Sequence, residues 1–240
     1  MIMCTVTFIP KGKTDFVLTS SRDEAVGRKT LPPEFYLVDG VKMLFPKDAV
    51  AGGTWIGISD LNRMVCLLNG GFTSHIRKEK YRMSRGVVVK KLLAAENLLE
   101  TLREFNYTGI EPFTIVALDW SQDLKLYEMV WDGKETHLEF LPLESKIWSS
   151  SSLYDEDMKH SRNQWFENFK LKETLDSESL MKFHKTGGEG NPHSAIKMDR
   201  GFVKTVSITQ ILKENGSCSF KYLDLQENSV YTSHLDMTPV

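Results

Sequence analysis

Residues 3–24 read MCTVTFIPKGKTDFVLTSSRDE. Two runs rich in β-branched and aromatic residues, CTVTFIP and DFVLTSS, flank a short turn, KGKTD. Side chains of this kind fit a pleated surface, and the polar Gly-containing turn between them predicts a hairpin. The two ends of a hairpin lie opposite each other, so Arg22 and Asp23 should return alongside Cys4.

Working outward, the same strand pattern continues. YLVDGVKMLFP (36–46) predicts a second hairpin closed at Asp39-Gly40. GGTWIGIS (52–59) and MVCLLNGG (64–71) are two apolar strands around a polar DLNR turn. From Ser84 to about Phe105 apolar residues fall at spacings of three and four, which predicts a helix with Ser84 at its N-cap. FTIVALDW, LKLYEMVWDG and HLEFLPL return to strand character. A second helical region covers about Met158 to Lys172, and a short amphipathic helix spans Ser177 to Lys185. TGGEGNPHS (186–194) is a loop by composition, and KTVSITQIL, SCSFKYLDL and NSVYTSHL are three closing strands. Strands and helices are segregated in blocks rather than alternating, so the expected class is α+β. With no repeat and no linker, residues 1–240 are expected to form a single domain.

Composition excludes several functions. Thirty basic and 32 acidic residues give a net charge of −2, and the basic residues are spread along the chain. No nucleic-acid partner is expected. No apolar run reaches the ~20 residues of a membrane span, so stable membrane insertion is not expected. Lys11 and Lys13 interrupt the first apolar run, unlike a signal peptide. Cys4, Cys66 and Cys218 lack CxxC spacing, so no disulfide framework and no metal centre is expected, and the cytoplasm is the expected compartment. Cys66 and Cys218 read as core residues. His184, just before the TGGEGNPHS loop, and His193, near its end, lie apart without carboxylate or cysteine company, and both are expected to face solvent. No cofactor is expected. Trp55, directly after Gly52-Gly53-Thr54, is expected near Cys4.

The chemistry begins at Met3-Cys4. Translation from Met3 followed by methionine removal would leave Cys4 with a thiol and a free α-amine, a nucleophile and a base on one residue. The sequence carries Met1 and Ile2 ahead of that pair, and initiation at Met3 is the simplest route to a free Cys4. Arg22 close to the thiol would favour the thiolate, and Asp23 would orient the amine. Asn69, ending an apolar strand before Gly70-Gly71, can donate to a developing oxyanion.

MCTVTF (3–8), SRDEAVGR (21–28), GGTWIGIS (52–59) and CLLNGGF (66–72), in this order, resemble the NRDE family, the Transport and Golgi organization protein 2-like proteins. The family's Asn-Arg-Asp-Glu motif is here SRDE, with Ser21 in place of Asn. The family is similar in turn to N-terminal-nucleophile hydrolases of the penicillin acylase and bile-salt hydrolase branch. That resemblance implies a four-layer αββα sandwich with antiparallel sheets. It also implies Cys4 as nucleophile, Arg22 beside the thiolate, Asp23 at the α-amine and Asn69 in the oxyanion hole. Two further positions of that branch are not matched. No Asn occurs at 149–152, where Ser151 stands, and a late arginine would fall near Lys204. Two functions follow: a cysteine hydrolase cleaving an amide or thioester of a small acylated substrate, or a non-catalytic protein handling a lipid-like or haem ligand on the same scaffold.

Overall fold

The computed structural model describes residues 3–236, with side chains from Thr5 to Leu235. The chain forms two compact units. One holds the chain to Gly27 together with Glu144–His234; the other holds Arg28–Leu143.

In the first unit, β1 (Met3–Lys11) and β2 (Asp15–Ala25) form the expected hairpin. β10 (Lys146–Ser149), β11 (Val203–Glu214), β12 (Ser217–Asp224) and β13 (Ser229–Asp236) complete a six-stranded sheet in the order β10-β1-β2-β11-β12-β13. β1 with β10, β1 with β2, β2 with β11 and β11 with β12 all run antiparallel. One face is covered by α3 (Glu156–Lys172) and α4 (Ser177–Thr186), whose Phe166, Phe169, Leu180 and Phe183 pack on Ile9, Val17 and Ile196. Ile9 and Val17 are odd-numbered positions of β1 and β2, so the period of two along a strand assigns the odd residues to the helix-covered face.

The second unit is a seven-stranded sheet in sequential order. It comprises β3 (Thr30–Val38), β4 (Val41–Asp48), β5 (Ile56–Ser59), β6 (Arg63–Asn69), β7 (Phe113–Asp119), β8 (Lys125–Trp131) and β9 (Thr136–Leu141). Each neighbouring pair is antiparallel. α1 (Arg85–Ala94) and α2 (Leu98–Glu104) bury Val88, Val89, Leu92, Leu98 and Leu102 against Phe45, Val65, Leu67, Ile115 and Met129. α1 starts almost on the backbone of the Gly-Gly-Thr stretch. A Cβ at Gly53 would stand 2.8 Å from the Gly86 carbonyl carbon, and a Cβ at Gly86 would stand 2.9 Å from the Thr54 nitrogen.

Two expectations are corrected. The helix expected from Ser84 to Phe105 is two helices: Asn97 interrupts it and accepts from the Glu100 N–H, capping α2. Ser84 stands at the α1 N-cap position but makes no side-chain capping bond. β10, four residues long, adds a strand that the sequence pattern does not announce; it pairs with β1 through Thr5–Ser149 to Phe8–Lys146.

Candidate active site

The register of the first hairpin puts Cys4 directly opposite Arg22 and Met3 directly opposite Asp23. The side chain of Cys4, and all of Met1 and Ile2, lie outside the described residues. Arg22, Asp23 and Glu24 are fully buried, three charged residues in a row at the end of a strand paired on both sides. Alternation sends Arg22 and Glu24 to one face, and an Arg22 guanidinium nitrogen lies 3.4 Å from the Glu24 carboxylate. Asp23 takes the helix-covered face.

There, hydroxyls hold both oxygens of Asp23. Tyr154 donates to Oδ2 at 2.6 Å and Thr205 donates to Oδ1 at 2.6 Å. Burial pushes the Asp23 carboxyl up to about 6, opposed by the Arg162 charge, the bonds from Thr205 and Tyr154, and the Arg200 charge. Tyr154 is itself buried and raised well above the usual phenol range, first by burial and then by Asp23, so it is a firm O–H donor. The Arg162 guanidinium lies 3.4 Å from the Tyr154 ring centre, and that of Arg200 lies 5.5 Å away. Arg162 is fully buried and donates to the Ser194 and Ala195 carbonyls and to Thr5 Oγ1.

His184 corrects a further expectation. It is completely buried rather than solvent-facing, with Nε2 2.7 Å from Thr7 Oγ1 and Nδ1 2.7 Å from Ser21 Oγ. Burial, joined by the Arg162 charge, pushes its pKa down to about 3, so the ring is neutral. One ring nitrogen donates and the other accepts, fixing two strands to α4. The signal is present in the sequence: His184 falls four residues after Leu180, on the buried stripe of α4. His193 is exposed as expected, and Cys66 and Cys218 are buried as expected.

Asn69 ends β6 in the second unit and is fully buried. The Gly70 N–H after it donates to the Pro112 carbonyl, and Thr114 donates to the Gly70 carbonyl. Pro112 also lines a cavity of about 510 Å³ with Ile76, Tyr81, Ile110, Lys78 and Lys134. Trp55 is fully buried in the same unit. At the unmatched positions, Ser150 bonds Ser152 and Ser151 accepts from Lys159, while Lys204 pairs with Asp199 at 2.9 Å. Just beyond these serines, Tyr154 is the residue that reaches Asp23. Among the described residues no group of three or more His, Cys, Asp or Glu stands together as a metal site, and no helix is long and apolar enough to cross a membrane.

Residues 3–186 match the family described as Transport and Golgi organisation 2. The chain belongs to that family. No curated protein matches it in sequence. Among solved structures, this member of the Transport and Golgi organisation 2 family is similar to an N-acylethanolamine-hydrolyzing acid amidase orthologue from Caenorhabditis elegans, with a TM-score of 0.57 and 10% identity over 87% of this chain and 92% of that one. It is also similar to penicillin V acylase from Agrobacterium tumefaciens, at 0.52 and 10% over 99% and 87%. A mutant of conjugated bile acid hydrolase from Clostridium perfringens matches at 0.51 and 9% over 99% of both chains. These are proteins of the N-terminal-nucleophile hydrolase fold, and the likeness extends that fold to this member of the Transport and Golgi organisation 2 family. The expected α+β class with antiparallel sheets holds.

Proposed function

We propose that this protein is a cysteine N-terminal-nucleophile hydrolase that cleaves an amide or thioester of a small acylated substrate, with Cys4 as nucleophile once the residues before it are removed. The observation that carries this reading is the register of the first hairpin. Asp23 stands opposite Met3, the residue whose removal would free the Cys4 amine, and Arg22 stands opposite Cys4. A carboxylate with both oxygens held and a pKa raised by burial gains most from a cation placed beside it, and the ammonium of Cys4 would be that cation.

In the proposed reaction the Cys4 thiol gives its proton to its own α-amine, and the sulfur attacks the acyl carbon. The ammonium then protonates the leaving amine or thiol as the carbon–heteroatom bond breaks. Water hydrolyses the resulting thioester, returning the thiol. Arg22 would favour the thiolate. Asn69 enters on the family resemblance, as donor to the tetrahedral oxyanion.

A second reading, a non-catalytic carrier on the same scaffold, is favoured by the unmatched late positions: serines fill 149–152, and Lys204 is engaged by Asp199. The intact mass and N-terminal peptide of protein made from its native gene separate the two. A chain beginning at Cys4 supports the hydrolase, and a screen of acyl amides and thioesters with Cys4→Ala as control follows. A chain retaining Met1 or Met3 lacks the base and leaves the carrier.

A further inference from the structure

The helix-covered face of the first unit's sheet carries a buried polar assembly that no part of the SRDE motif explains. Tyr154 comes from the segment between β10 and α3, Arg162 from α3, and Thr205 from β11 beyond the family match. Tyr154 reaches Asp23 across 131 positions and Thr205 across 182. Each oxygen of the carboxylate therefore has one short O–H donor from a different element. Arg162, 3.4 Å from the Tyr154 ring centre and anchored to the Ser194 and Ala195 carbonyls, holds that ring. Thr205 is anchored in turn, since its Oγ1 accepts from the Met198 N–H at 2.8 Å.

We propose that Tyr154 and Thr205 are positioning residues for Asp23, their two hydroxyls fixing the carboxylate at the strand position opposite Met3 so that it receives the α-amine of Cys4. The proposal rests on the hydrolase reading for its purpose and on the hydrogen bonds for its geometry. A hydroxyl that donates to a carboxylate favours its ionised form, and two such donors at fixed sites leave it one orientation. An ionised, fixed Asp23 would hold an amine beside it in one orientation and stabilise the ammonium it becomes on taking the thiol proton, raising the amine's proton affinity.

The charged and titratable groups around Asp23 define what a titration reads. Arg162 faces it from α3, Arg200 from the segment before β11, and Tyr154 from the segment before α3. Neutral His184 on α4 touches Ser21, two residues earlier on β2. Arg22 and Glu24 neighbour it on its own strand and pair with each other. Lys204 on β11 is paired with Asp199.

The test is a carboxyl ¹³C NMR titration of Asp23 in the full chain, assigned by difference with Asp23→Asn. Tyr154→Phe keeps the ring on Arg162 and deletes one donor; Thr205→Val deletes the other; Thr205→Ser restores it. Each deletion should raise the Asp23 midpoint by about half a unit, a threefold change in its ionisation constant, and Thr205→Ser should titrate as the parent does. If Tyr154→Phe does not fold, the Thr205→Val and Thr205→Ser pair decides. Unchanged midpoints in folded Tyr154→Phe or Thr205→Val protein would overturn the proposal. The ¹⁵N titration of the Cys4 amine, in protein beginning at Cys4, should fall in Tyr154→Phe. An amine that ignores the variant while Asp23 responds would overturn the link to the nucleophile. A native chain that never begins at Cys4 would instead sink the hydrolase reading, even with the Asp23 titration behaving as described.

Discussion

Thr205 donates its hydroxyl to Asp23 over 2.6 Å, so a strand beyond residue 186, where the family match ends, completes the environment of a motif near the N-terminus. Hydrogen bonds to charged groups contribute more than neutral ones, about 1.5–3 kcal/mol. Thr205→Val should lose a free energy of that size in urea unfolding at pH 8, and Thr205→Ser less than about 1 kcal/mol. Equal losses from the two variants would mean that shape at this position matters and the hydroxyl does not.

The raised pKa of Asp23 has the direction that burial gives a carboxylate, opposite to that of a surface ion pair. Its value of about 6 in the folded chain lies above the ordinary 3.8, so between these values the folded state holds the extra proton. Its contribution to stability is complete below about pH 4 and is lost as the pH rises through 6, by up to roughly 3 kcal/mol. Asp23→Asn should remove this slope in a chain that keeps the residues before Cys4. In a chain beginning at Cys4 the ammonium should lower the Asp23 pKa and flatten the slope without any substitution. Unfolding curves from pH 4 to 8 on both chains check this.

His184 acts with the opposite sign. Its pKa of about 3 lies below the ordinary 6.5, so the unfolded state binds the proton first and stability falls as the pH drops through 6.5 toward 3. The two slopes overlap and oppose each other, so the His184 slope is best read in the Asp23→Asn background. His184→Leu should abolish it there. At pH 7 the same substitution leaves the Thr7 and Ser21 hydroxyls buried without their partner and should cost about 2–4 kcal/mol.

Gly86 tests why the Gly-Gly-Thr stretch needs its glycines. A methyl group there meets the backbone N and O of Thr54 at 2.9 Å, and neither atom can swing aside. Gly86→Ala should destabilise the second unit by about 1–3 kcal/mol while leaving the Asp23 titration unchanged. A neutral result in chemical denaturation would show that α1 can slide away from this stretch at little cost.

The hairpin, its register and most strands are legible because their information is local: alternation, a Gly-containing turn and a fixed pairing geometry. Cys4 opposite Arg22 needs nothing beyond this. The break at Asn97 is signalled by an Asn followed three residues later by Glu100, a capping pattern masked by continuous apolar spacing on both sides. β10 escapes because four residues carry too little period to read. Tyr154 and Arg162 are illegible for a different reason. Nothing within a Ser-rich stretch or an amphipathic helix encodes a partner more than a hundred positions away, and the tertiary fold alone brings them to Asp23.

The central place of β2 also orders events in time. The strand carrying Arg22 and Asp23 is synthesised early, yet Thr205 follows Asp23 by 182 positions. Until translation has passed Tyr154 and then Thr205, Asp23 lacks one or both of its donors, and β11 cannot complete its pairing with β2 before Lys213 is made. The β1–β2 hairpin that sets Cys4 opposite Arg22 can form early, and the buried charges are covered on their other side only afterwards. A chain stalled before β11 would leave three ionisable side chains at an open sheet edge, a state open to capture by chaperones. For this protein the ribosome finishes the site last.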